Sequence, residues 1–108
     1  MILNRLKIAV LTSSRADYGI YSPLLKAIKE DTFFELNLIA FGTHLSAKHG
    51  ETISEILADG LEVQIQVNSV AESDTPAAIS SIMGEIIISF SKIWDSHSYD
   101  LIIALGDR

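Results

Sequence analysis

Three short polar segments hold the side chains whose types could do chemistry. The first is Gly106-Asp107-Arg108, which follows the apolar run Leu101-Ile102-Ile103-Ala104-Leu105. It delivers a carboxylate and a guanidinium to the end of a strand. Asp107 can move a proton or orient a hydroxyl group, or it can bond its own backbone in a Gly-Asp turn. Arg108 is charged at any relevant pH and keeps a neighbouring carboxylate ionised unless burial opposes it. The second segment is Ser13-Ser14-Arg15-Ala16-Asp17-Tyr18-Gly19, between a strand and a helix. Helix N-termini draw anions through unpaired N–H groups and the dipole, and a guanidinium adds bidentate phosphate recognition. Pattern alone leaves Arg15 open between that role and a surface pair with Asp17. The third is Gly42-Thr43-His44-Leu45-Ser46. His44 and His49 share this stretch, and a lone loop histidine is more often solvated than catalytic. No further ligand stands at a supporting spacing, so no metal site is expected.

Other candidates have plainer readings. His97 marks the polar end of a helix, and Tyr18 and Trp94 read as packing residues. Glu51, Glu55 and Asp59 recur at i, i+4, i+8, the pattern of a solvated helix face. No G-x-G-x-x-G and no G-x-x-x-x-G-K-[ST] is present, so neither a dinucleotide fingerprint nor a P-loop positions these residues.

The elements that must position them alternate. Residues 6–11 form a short β-rich run. Ile20, Leu24, Leu25 and Ile28 then share one face of a 3.6-residue period. That helix starts either at Asp17, with a kink at Pro23, or at Ser22, with Pro23 in the first helical position. Residues 33–41 read as a second strand, ended by Gly42. A short helix follows, with Ile53, Ile56 and Leu57 inward and Gly60 as a left-handed stop. Residues 62–67 alternate strictly, as a half-exposed strand does. Thr75-Pro76 caps a long helix whose stripe is Ile79, Ile82, Met83, Ile86, Phe90, Ile93 and Trp94. Gly84 and the β-branched run Ile86-Ile87-Ile88 would also suit a buried strand. Residues 100–105 form the last strand.

The order β-α-β-α-β-α-β implies right-handed crossovers and a parallel sheet. The expected fold is α/β, a Rossmann-like doubly wound sheet of order 3-2-1-4 with its switch point between the first and fourth strands. The loops after strands one, two and four then leave one carboxyl edge, where ligands bind in such sheets. Arg15, His44, Asp107 and Arg108 would converge there. A sheet seldom finishes on its own site loop, so residues 1–108 are expected to be the N-terminal part of a Rossmann-like domain in a larger enzyme.

Composition narrows the classes. The 108 residues are 48% hydrophobic and 20% charged, which suits a packed core. There is no cysteine, hence no disulfide framework, thiolate zinc site or cysteine nucleophile. The net charge of -6 argues against a general nucleic-acid binder. The first seven residues are too short and too interrupted to be expected as a signal peptide, and the apolar stretch Ile86-Ile87-Ile88 is far below a membrane span. A cytoplasmic protein with no membrane or nucleic-acid partner is expected.

Taken together, Arg15-Ala16-Asp17-Tyr18, then Gly42-Thr43-His44-Leu45 with Gly50, Thr52, Glu55-Ile56 and Asp59-Gly60, then Gly106-Asp107-Arg108, resemble the hydrolysing UDP-N-acetylglucosamine 2-epimerases. The resemblance runs over essentially the whole chain, with the motifs in order. It implies a two-domain glycosyltransferase-B-like enzyme about three times longer, of which the rest of the first domain and a C-terminal nucleotide-binding domain lie outside these residues. It implies conversion of UDP-N-acetylglucosamine and water to N-acetylmannosamine and UDP, by elimination and then hydration. It implies no cofactor and no obligatory metal, and homo-oligomers in the full-length protein. By the same resemblance, Asp107 acts in acid/base chemistry on the sugar, and Arg15 contacts the UDP phosphates. Arg108 supports that carboxylate or the departing diphosphate, and His44 lies near the sugar pocket. Further catalytic groups are expected beyond residue 108, so the segment alone is expected to be inactive. The fourth strand would stand as an exposed edge or pair with a second chain.

Two other readings compete. A glycosyltransferase-B-type transferase would use Arg15 for phosphate but has no reason to need G-x-H-L and G-D-R together. A non-catalytic flavodoxin-like or response-regulator-like domain would need a Ser/Thr-rich phosphate loop or an acidic pair after the first strand. Thr12-Ser13-Ser14 only faintly echoes the former, and Ser13-Ser14 stands where the latter needs acids.

Overall fold

The structure, a computed structural model, describes residues 5–13, 15–42, 53–67, 71 and 73–105, with the backbone alone for residues 15–17. Among these residues seven elements follow in order: β1 (Leu6–Thr12), α1 (Arg15–Glu30), β2 (Phe34–Ala40), α2 (Ile53–Ala58), β3 (Val63–Gln66), α3 (Pro76–Ser96) and β4 (Leu101–Ala104). The strands form one parallel sheet in the order β3-β2-β1-β4, the doubly wound arrangement the sequence predicts. Tight registers hold it. Leu6 pairs with Phe34 and Thr12 with Ala40, while Ile8 pairs with Leu101 and Leu11 with Ala104.

Each face of the sheet carries its own core. Ile8 and Val10 of β1 and Leu38 of β2 pack with Tyr18, Tyr21, Leu25 and Ile28 of α1 and Ile56 of α2. Ala9 and Ile39 point the other way, onto Phe90 and Ile93 of α3. The long apolar stretch is therefore a helix. Although α3 is long and apolar enough to cross a membrane by length and composition, it is the crossover between two parallel strands of one sheet.

Several local expectations shift. Helix α1 begins at Arg15, ahead of both predicted starts, and runs through Pro23. Its buried line is Tyr18, Tyr21, Leu25 and Ile28, at i, i+3, i+7, i+10. Ile20 and Leu24 lie outside that line, 58% and 44% exposed. Two tyrosines bury more area than one isoleucine and one leucine, so they set the rotation of the helix. The α3 stripe also divides. Phe90 and Ile93 are buried and Ile82 and Ile86 partly so, whereas Ile79, Met83 and Trp94 are exposed, as is Leu57 of α2. In β3 the strict alternation does not yield one apolar face. Leu38 pairs with Val63 but Ile39 pairs with Ile65, so a register shift at Gln64 sends Val63 to the α1/α2 core and Ile65 to the α3 core.

The terminators behave as their residue types require. Thr75 caps α3, its Oγ1 accepting from the Ala78 N–H at 3.2 Å, with Pro76 in the first turn. Gly60 adopts φ 80°, its N–H donates to the Leu57 carbonyl (3.0 Å), and the Leu61 N–H donates to the Ile56 carbonyl (3.2 Å). That is a Schellman ending, completed by the buried contact partners Ile56 and Leu61.

Candidate active site

The loops after β1 and β2 leave the carboxyl edge of the sheet. β1 and β2 reach that edge level with one another, and the pairing continues one step further: the Phe41 N–H donates to the Thr12 carbonyl (3.0 Å). Beyond it the two loops touch. Gly42 sits at φ 67°, and a Cβ placed there would lie 2.5 Å from the Ser13 carbonyl oxygen. Only glycine fits, both for conformation and for space. The glycine of the G-x-H-L motif thus lets the loop after β2 start against the loop after β1.

β4 is held at the same level by Asp100. Its N–H donates to the Lys7 carbonyl and its Oδ2 accepts from the Lys7 N–H, both at 2.8 Å. This pair sets Ala104 beside Leu11, at the same edge that Ser13 follows. Arg15 is the first residue of α1, three positions past Thr12, at the anion-favouring end of a helix. His44, Asp107 and Arg108 lie outside the described residues, as does the side chain of Arg15. The described backbone brings together the points from which Arg15 and Gly42 start and from which Gly106-Asp107-Arg108 continues.

Sequence reasoning treated Tyr18 as packing and Asp59 as part of a solvated face, and the structure joins them. Tyr18 is 5% exposed, and its hydroxyl donates to Asp59 Oδ2 at 2.5 Å. Burial, and then the hydrogen bond and charge of Asp59, push the Tyr18 hydroxyl up to about 12. A bond with Ser22 works against the shift, and the Glu55 charge adds to it. Asp59 could have been singled out by its place immediately before the helix-ending Gly60, and Asp100 by its place immediately before an apolar run.

A hollow of about 380 Å³ opens elsewhere, at the amino edge, between Arg5, Lys29, Glu35 and Glu62. Its cations are already engaged: Arg5 donates to the Thr32 and Phe34 carbonyls and Lys29 to the Gly60 carbonyl. It lies at the opposite end of the strands from the loops that carry the motifs.

Comparison with known proteins decides the family. Residues 26–108 match the family described as UDP-N-acetylglucosamine 2-epimerase. The chain belongs to that family. It is 28% identical over 102 residues to the UDP-N,N'-diacetylbacillosamine 2-epimerase (hydrolyzing) of Legionella pneumophila, covering 94% of this chain and 27% of that protein. It is 31% identical over 102 residues to polysialic acid biosynthesis protein P7 of Escherichia coli, with 94% and 26% covered. To the UDP-N-acetylglucosamine 2-epimerase of Neisseria meningitidis it is 28% identical over 102 residues, again with 94% and 26% covered. The chain thus spans about a quarter of the length of the curated relatives it matches. The matched stretch of the family contains His44, Asp107 and Arg108 and begins after Arg15. The relatives align with nearly the whole chain.

Proposed function

We propose that these residues are the N-terminal part of a hydrolysing sugar-nucleotide 2-epimerase, which converts UDP-N-acetylglucosamine and water to N-acetylmannosamine and UDP. The observation that carries this reading is the carboxyl edge. There the loops after β1 and β2 meet at Ser13 and Gly42, and β4 is registered with Ala104 beside Leu11, two positions before Gly106-Asp107-Arg108 in sequence. A leaving diphosphate needs positive charge aimed at it, and inversion at C2 needs proton transfer at carbon.

In this reading the proton on C2 is removed while UDP departs from C1 with the C1–O electron pair, leaving a glycal. Water then adds across the double bond, its hydroxyl to C1 and a proton to the opposite face of C2. Arg15, at the start of α1, holds the phosphates, and Arg108 supports them or Asp107. Asp107 takes part in the proton transfers, and His44 borders the sugar. One aspartate beside an arginine is a weak base for a C–H bond, so further groups beyond residue 108 share the work. The segment alone is therefore inactive.

Relatives named for N,N'-diacetylbacillosamine in Legionella pneumophila and Campylobacter jejuni favour a second substrate, a diacetylated sugar on the same nucleotide. The test is made on the full-length protein. Each sugar nucleotide is incubated in turn, and UDP and the free 2-epimeric sugar are followed by NMR, with Asp107→Asn in parallel. Release of both products, lost in the variant, is expected. Turnover that survives Asp107→Asn would remove Asp107 from the chemistry. Turnover of neither sugar nucleotide would remove the epimerase reading.

A further inference from the structure

We propose that Tyr18 and Asp59 form a latch that positions the phosphate-binding end of α1, an inference that rests on the sugar-nucleotide reading above. Tyr18 stands three residues after Arg15, in the first turn of α1. Its ring is buried in the core that also holds Ile56 of α2, and its hydroxyl donates to Asp59 Oδ2. The acceptor is itself held. Asp59 follows Ala58 at the end of α2, where its N–H donates to the Glu55 carbonyl at 3.1 Å and the Schellman bonds of Gly60 and Leu61 close over it. One charge-assisted hydrogen bond therefore ties the opening turn of α1 to a fixed point on α2.

The latch matters for what each helix leads from. α1 opens directly out of the Ser13–Arg15 loop, and α2 is entered from the segment that contains His44. Tying the two helices fixes the far ends of two of the three loops relative to each other. Gly42 against Ser13 fixes the same pair from the strand side. Packing needs only the aromatic ring of Tyr18, and phenylalanine would supply it. The hydroxyl is what reaches Asp59. It is protonated, and so a donor, at working pH. Tyr18 and Asp59 touch no reacting atom in this scheme and act through Arg15.

A double-mutant cycle in the full-length protein tests this. The readouts are the Kd for UDP by calorimetry, kcat on UDP-N-acetylglucosamine, and Tm. Tyr18→Phe is expected to weaken UDP binding by about threefold or more, the coupling typical of residues acting through a shared neighbour. kcat should stay within about twofold, since no reacting group is removed. Arg15→Ala should weaken UDP binding further, and adding Tyr18→Phe to it should change the Kd no more. Asp59→Ala should reproduce Tyr18→Phe, and Asp59→Asn, which keeps a carbonyl acceptor, should restore most of the affinity. Multiplying effects in the double variant would overturn the latch, as would a lower Tm with unchanged Kd in Tyr18→Phe. If Arg15→Ala weakens UDP binding and Tyr18→Phe does not, the latch alone falls. If Arg15→Ala leaves the Kd unchanged, the phosphate reading of Arg15 falls and the latch with it.

Discussion

β3 and β4 are the two outer strands of one sheet, and they carry opposite side chains. β3 reads Val63-Gln64-Ile65-Gln66, with both glutamines exposed and each apolar residue half-buried against a different core. Tyr99 donates a 2.8 Å hydrogen bond to Gln64, so even the shifted residue is tied down. β4 reads Leu101-Ile102-Ile103-Ala104 without a polar residue. Leu101 and Ile102 point to opposite faces and are 46% and 47% exposed. A continuous apolar run is the signature of a parallel strand buried on both faces, and a natural edge is blunted by polar or charged groups. β3 has the chemistry of a border, and β4 that of an interior strand. The bare flank of α3 extends the same contrast. Met83, Ile87 and Trp94 stay exposed, while Leu25, Leu38 and Ile56 on the α1/α2 face are fully enclosed.

The sharpest break in this comparison is a cavity. Leu38→Ala should cost about 2–5 kcal/mol in urea or guanidinium unfolding, because the site is enclosed on all sides. Ile87→Ala should fall within about 0.5 kcal/mol, since its side chain is 69% exposed. Equal effects would mean that α3 is packed as tightly as α1.

Glycine gives the next contrast. Gly42→Ala meets the Ser13 carbonyl and a positive φ, and should cost about 1–3 kcal/mol. Gly84→Ala in α3 meets nothing within 4 Å and should stabilise by up to about 1 kcal/mol through helix propensity. Loss of stability in Gly84→Ala would show that α3 is closely approached there after all.

Tyr18→Phe should cost about 0.5–1.5 kcal/mol, the net worth of one hydrogen bond. Its pH dependence carries a sign. The unfolded phenol titrates near 10 and the folded one near 12. The contribution is therefore whole below pH 10 and is lost as pH rises from 10 through 12, where the unfolded chain releases the proton first. Absorbance titration should show one late tyrosine fewer in the phenylalanine variant than in the wild type. Tyr99 is also raised, by burial and by the charge of Glu35, so it stays late in both.

The smallest effect on folding is expected at the bare flank. Met83→Glu with Ile87→Glu should leave unfolding free energy within about 0.5 kcal/mol per site. It should lower self-association of the 108-residue chain in sedimentation velocity. An unchanged oligomer distribution would take this flank out of the association surface.

How far the sequence reached can be judged residue by residue. Turn chemistry is local, so Thr75-Pro76 and Gly60 marked their helix ends correctly, and alternating periods gave all seven elements. Right-handed crossover geometry then fixed the sheet order and the edge from which the motifs emerge. The rotation of α1 was not legible, because Ile20-Leu24 and Tyr18-Tyr21 offer competing faces and only the sheet chooses between them. The register shift at Gln64 was hidden for the same reason: alternation records polarity and not pairing. Asp59 looked like one more exposed acid on a helix, since its partner lies 41 residues away. Periodicity, caps and motif order were set along the chain, where each signal spans a few residues. The Gly42–Ser13 contact, the Asp100–Lys7 pair and the Tyr18–Asp59 bond arise between segments far apart in sequence, and packing of the sheet alone decided them.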